Sequence, residues 1–288
     1  MRVFLFFLVA FSFSCGDLFA QEEGGVLDSL HTEIVRLRAN LMSAQTDSTR
    51  TIANDSLIEV VEIFLDEKGS FEYPLKVQYL GDLYSPDGAF RMVTWNIPVK
   101  KGEFVYFNFV QTKPGKNNSG KVVELIDESE KYDSGLEYKR MKYTAWYGAL
   151  YYQIIPKKVK GTTVYALLGW DGNTKMSNIK LVEAMYFDQR GFPRFGYSFF
   201  NGDGRTKRRL VLEHAEDARI VLKYDDKRDW IVFHRLEPMQ PEMEGIKAYY
   251  VPSNQYDAYE WIKKNWEFKE DVDLKAPKNK KPFINPNE

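Results

Sequence analysis

The chain has 288 residues, with 40 Lys and Arg against 41 Asp and Glu and a formal net charge of -1. That balance argues against the strongly basic face of a nucleic-acid-binding protein, and the length allows one large domain or two modest ones. Hydrophobic residues make up 44% and aromatic residues 15%, a load that favours strands over helices in an ordinary globular composition.

At the N-terminus Arg2 precedes an almost unbroken apolar run from Val3 to Phe13. The run's eleven residues fall short of the roughly twenty that a helix needs to cross a bilayer. They fit the apolar region of a secretory signal peptide spanning residues 1–20. Two cleavage readings compete. Leu18-Phe19-Ala20 ahead of Gln21 puts a small residue at the cut, whereas Cys15-Gly16 could supply a lipid-modified cysteine behind a poor lipobox, Ser12-Phe13-Ser14. An uncleaved buried helix is the third reading. Cys15 is the only cysteine, so cleavage at Ala20 leaves no disulfide, no thiol nucleophile and no cysteine ligand. Such a chain suits the periplasm or cell surface of a bacterium, with no transmembrane span once the leader is removed.

Residues 21–69 read as a helical segment. Leu27, Leu30, Ile34, Leu37, Leu41 and Ala44 recur at spacings of three and four, the stripe of a helix packed on the body or, alternatively, a short seam between copies of the chain. Residues 45–54 are polar and read as a linker; Ser56-Leu57-Ile58-Glu59 then has the form of a capping box opening a second helix, with Gly69 as its stop.

From Ser70 the period changes to two, which predicts a mainly β domain over residues 70–274. Strand-like runs fall at Leu75–Leu80, Phe90–Asn96, Phe104–Gln111, Lys121–Ile126, Ala149–Ile155, Thr163–Trp170 and Ile179–Phe187. They continue at Arg194–Phe200, Arg208–Glu213, Arg219–Tyr224, Trp230–Leu236, Lys247–Val251, Tyr256–Ile262 and Trp266–Val272. Turn residues such as Ser85-Pro86-Asp87-Gly88 and Asp171-Gly172-Asn173 separate many of them. Close spacing without intervening helical pattern predicts antiparallel multi-stranded sheets arranged as a sandwich, an open barrel or a propeller-like body. The Pro-, Asn- and Lys-rich residues 275–288 read as a flexible tail.

The catalytic motifs fall short. Gly115 to Lys121 matches a phosphate-binding loop as far as the lysine, but Val122 stands where a hydroxyl must ligate magnesium, so a hairpin loop is expected. Asn201-Gly202-Asp203-Gly204 lacks the flanking acids of a calcium loop and reads as a turn, followed by a basic patch of Arg205, Lys207, Arg208 and Arg209. No Gly-x-Ser-x-Gly elbow and no His-Glu-x-x-His occurs, so no catalytic residue is assigned and no cofactor is expected. His214 and His234 are the weak metal candidates, surrounded by Glu213, Glu216 and Asp217. Trp146, Tyr147, Tyr151 and Tyr152 form the densest aromatic cluster and are the speculative ligand-binding residues, since exposed aromatic rings stack on sugar faces.

Trp146-Tyr147-Gly148-Ala149-Leu150-Tyr151-Tyr152, Leu167 to Asn173, Ser85-Pro86-Asp87-Gly88 with Phe90-Arg91 and Trp95-Asn96, and Glu270-Asp271-Val272-Asp273 together resemble a family of uncharacterised exported proteins of Bacteroidota-type bacteria. The resemblance covers most of residues 55–274 and implies an envelope location without catalytic residues. Asp28-Ser29-Leu30 and Asp55-Ser56-Leu57 also resemble the short O-glycosylation signal of such bacteria. The expectation is a non-catalytic envelope protein that binds a glycan or another envelope component, such as an envelope protein. A glycan hydrolase using dispersed carboxylates is the alternative, and a structural, oligomer-forming protein is the third.

Overall fold

The computed structural model describes residues 15–99, 103–116, 120–132, 134–202 and 204–274, with side chains from residue 25 onward. Most of the leader and the whole tail, where the sequence places a signal peptide and a flexible end, lie outside the described residues. Two helices come first, α1 (Cys15–Ser43) and α2 (Asp47–Asp66). Leu27, Ile34, Leu37 and Leu41 of the α1 stripe are buried against α2 and the sheet beneath, which occupies the face that a seam between copies would need. The polar linker is shorter than expected. Thr46 caps α2, with its hydroxyl accepting from the Thr49 backbone while the Thr49 side chain answers the Thr46 N–H. Ser56 lies inside the helix and donates to the Ile52 carbonyl at 3.2 Å. A hydroxyl bonded to the preceding turn is a routine alternative to capping, so the Ser-x-x-Glu pattern misplaced the start.

Three sheets follow. The first is an antiparallel meander of β1 (Gly81–Tyr84), β2 (Phe90–Pro98), β3 (Phe104–Thr112) and β4 (Val122–Leu125). The second runs in the order β5 (Met141–Lys142), β9 (Pro193–Phe195), β8 (Ser177–Phe187), β7 (Thr162–Asp171), β6 (Leu150–Val159), and β11 (Arg209–Ala215) also pairs with β8. The third has the order β10 (Phe200–Asn201), β15 (Asn265–Lys269), β14 (Tyr250–Ile262), β13 (Trp230–Pro238), β12 (Leu222–Asp225). The pairings are antiparallel except for the short β10–β15 pair. Among the described residues no sheet closes into a barrel. The segment Leu75–Leu80 buries Leu75, Val77 and Leu80 yet joins no ladder. The predicted Lys247–Val251 strand begins instead as a 3-10 turn over Lys247–Tyr249, and β14 runs unbroken from Tyr250.

The sheets stack in layers because each of the first two is apolar on both faces. From β2, Val93, Trp95 and Ile97 join α1 and α2 in one core, while Phe90 and Met92 face the second sheet. From β7, Tyr165 and Leu167 face the first sheet, while Val164, Ala166 and Leu168 face the third. Strands covered on both sides lose the apolar–polar alternation and read as continuous apolar runs.

Candidate functional site

Three clefts bring chemistry-bearing side chains together. The mixed cleft, about 650 Å³, lies between the second and third sheets and includes Glu213, His234, Arg235, Lys247 and Asp257. Its charges are largely committed: Arg235 Nε donates to Asp257 at 3.1 Å, Ser177 donates to Glu213 at 2.8 Å, and Lys247 sits 3.9 Å from the Tyr250 ring centroid.

The acidic cleft, about 540 Å³, gathers Glu103, Asp127, Glu128, Glu130 and Asp171 beside Tyr132 and Tyr147. Burial pushes the Asp171 carboxyl above its usual range, and hydrogen bonds to it act in the opposite direction. Tyr106 and Tyr147 donate their hydroxyls to Asp171 at 2.8 and 2.6 Å, and the Asn173 N–H donates at 2.8 Å. Asp127 accepts from the backbone of Tyr106 (2.9 Å), Ser129 (2.9 Å) and Gly148 (3.2 Å). Both carboxylates therefore act as internal clamps that tie loops to strand ends.

The apolar cleft, about 600 Å³, is different in kind. It opens where the C-terminal turn of α1 meets the edges of the first two sheets, and its walls include Met42, Tyr79, Leu80, Phe104, Leu150 and Trp170. Phe104 and Trp170 meet edge to face at 5.6 Å. Gly172 permits that packing, since a Cβ there would lie 2.4 Å from the Phe104 ring. Arg38 of α1 is the only charged residue in the lining among the described residues. It is 4% exposed, and its Nη2 donates to the Tyr79 carbonyl at 2.7 Å. Tyr79 presents that carbonyl from left-handed backbone (φ 59°), a costly conformation for a residue with a Cβ. The Nε and Nη1 of Arg38 are buried without a hydrogen-bond partner among the described residues. Burial pushes the guanidinium down to about 10, which still leaves it charged at neutral pH.

The predicted aromatic cluster divides among these environments. Trp146 and Tyr151 are core residues, joined by a 2.9 Å bond from the indole Nε1 to the tyrosine hydroxyl. Tyr147 is buried on Asp171. Tyr152, the residue left over at a bulge in the β6–β7 ladder, is 41% exposed and lies in the apolar cleft with Tyr151. The four thus form no common exposed face, because a strand covered on both sides buries its aromatics.

His214 lies on β11 of the second sheet and His234 on β13 of the third. His214 Nδ1 contacts the Leu212 carbonyl at 3.1 Å, and His234 Nδ1 accepts from the Val221 N–H at 2.8 Å. Among the described residues no three His, Cys, Asp or Glu side chains are grouped to hold a metal. The basic patch is partly internal. Arg209 is fully buried, donating from Nε to Glu183 at 2.6 Å, and Arg205 stacks on Tyr138. The Gly115–Lys121 segment joins β3 directly to β4, with no helix at its end; residues 117–119 lie outside the described set. Asp203 of the glycine-rich turn does too.

Sequence reading missed Arg38, Met42 and Tyr79. The signal available was a cation at the border of an apolar stripe, four residues after Ile34. Comparison with protein-family models, curated proteins and solved structures finds no match for this chain. Among the described residues no helix is long and apolar enough to cross a membrane.

Proposed function

We propose that the chain is an exported envelope protein, of the Bacteroidota-type class its motifs resemble, that binds a component of the envelope without chemical turnover. The observation that carries the binding reading is the apolar cleft, lined by aromatic side chains and by a buried cation, Arg38, two of whose donors have no partner among the described residues. Buried polar groups are normally satisfied, and exceptions mark functional sites or missing partners. Export is supported by Arg2 and the apolar run to Phe13.

A thermal-melt screen of the full chain against cell-wall fragments, polysaccharides and envelope amphiphiles tests this. A ligand at a hundred times its dissociation constant adds about 2.7 kcal/mol, a shift of several degrees. A shift with at least one class is expected; no shift with any class contradicts the reading.

The hydrolase alternative has one observation in its favour, the raised Asp171 carboxyl in an aromatic-lined acidic cleft. It requires sugar release that Asp171→Asn abolishes. The binding reading expects none from the wild type.

A further inference from the structure

We infer that the cleft beneath Tyr79 takes a single-chain amphiphile bearing one carboxylate, with the headgroup on Arg38 and the apolar body against Phe104 and Trp170. This rests on the binding reading above and names the chemistry of its ligand.

The headgroup follows from Arg38. Its Nε and Nη1 are buried and have no hydrogen-bond partner among the described residues. Nor does a carboxylate pair with it, since among the described residues no acid lines the cleft. Guanidinium donors form a planar fork that matches carboxylate geometry, and burying a charge without such a partner is costly. A single cation suits a monoanion. A phosphate monoester would bring a second charge that no other cation among the described lining residues balances.

The apolar body follows from the walls. Met42, Tyr79 and Tyr152 are 54%, 64% and 41% exposed, so three large apolar side chains stand open to water around one cleft. For a neutral sugar the described lining offers Asn96 and the Tyr79 hydroxyl among walls that are otherwise mainly apolar. The Tyr151 hydroxyl already accepts from Trp146, and the Tyr152 hydroxyl donates to the Leu222 carbonyl at 3.0 Å. The volume, about 600 Å³, falls within the roughly 300–1,000 Å³ of small-molecule sites.

The test titrates the full chain at neutral pH with decanoate, 1-decanol, decyltrimethylammonium and decyl phosphate, following tryptophan fluorescence. Decanoate is expected to bind at least about tenfold more tightly than 1-decanol, the margin of a charge-assisted hydrogen bond. The cation is expected not to saturate. Arg38→Met should bring decanoate and 1-decanol to within about twofold of each other. Met42→Glu places a carboxylate one helical turn from Arg38, at an exposed position, and should block decanoate while leaving the melting temperature near wild type. Equal affinity of the wild type for decanoate and 1-decanol overturns the assignment. So does tighter binding of decyl phosphate, or an unchanged preference in both variants. Binding of saccharides with no binding of any decyl probe overturns this inference and leaves the broader binding reading standing. Binding of neither removes both.

Discussion

Arg38, Arg91 and Arg209 are all buried, and their surroundings differ in the one respect that matters for a guanidinium. Arg209 holds Glu183 with Nε at 2.6 Å, reaches the Leu136 carbonyl with Nη1 and the Met141 sulfur with Nη2. Arg91 donates to Gln111 (2.7 Å), the Tyr73 carbonyl and the Tyr84 hydroxyl (both 2.9 Å). Among the described residues Arg38 has the Tyr79 carbonyl alone. Removing one partner of a buried ion pair strands the other charge, so Glu183→Gln should cost about 3–5 kcal/mol in urea unfolding. Arg38→Met should be neutral or stabilising in the same assay, because it removes a buried charge that no carboxylate among the described residues pairs with. A loss above about 2 kcal/mol for Arg38→Met would mean that the fold itself needs the charge. Part of this was legible. Glu183 interrupts the apolar run Leu181-Val182-Glu183-Ala184-Met185, which signals a buried partner. The partner's identity was not legible, since Arg209 sits in a basic run and becomes an internal residue only through its register opposite Glu183.

At the scale of elements, the strands were read best where both faces are buried, as in β2, β3, β7 and β8, because burial extends over most of each strand. Reading failed where local chemistry had equivalents. Thr46 and Ser56 each offer a hydroxyl ahead of an apolar helical face, and only Thr46 closes the reciprocal box with Thr49. Thr46→Ala should therefore cost about 1 kcal/mol in chemical denaturation, and Ser56→Ala clearly less. The Leu75–Leu80 segment alternates like a strand, yet the Leu75 N–H is taken by the Asp82 carboxylate at 2.8 Å instead of a ladder. Alternation reports burial on one side, not hydrogen bonding to a neighbour. The turn after β7 matters for the cleft wall. Gly172→Ala should displace the Phe104 ring, costing about 1–3 kcal/mol through overpacking. The same change should weaken decanoate in the fluorescence titration.

The whole molecule is a stack in which helices cover the first sheet, the first covers the second and the second covers the third. Aromatic density in the sequence pointed to the right class of fold, and two of its four clustered residues, Tyr151 and Tyr152, line the apolar cleft. In such a stack Trp146, Tyr147 and Tyr151 are spent on the core, and a cleft forms where layers meet at their edges. That meeting joins α1 to strands far along the chain, so no local pattern announces it. The junction of the second and third sheets also sets a pH response. Burial lowers the His214 and His234 imidazoles below their ordinary 6.5, and the Lys180 charge adds to it. Their neutral forms stabilise the fold fully above pH 6.5, and that contribution is lost as pH falls through the depressed folded values. Unfolding free energy should therefore decline on acidification from about pH 6.5, and a His214→Gln, His234→Gln double variant should flatten the decline. A decline of unchanged slope in that variant would place the titration elsewhere.

A structure of the full chain crystallised with decanoate decides the assignment. A carboxylate oxygen is expected within about 3.2 Å of the Arg38 guanidinium, with the alkyl chain along Phe104 and Trp170. An empty cleft at saturating decanoate, or a ligand seated away from Arg38, would contradict it.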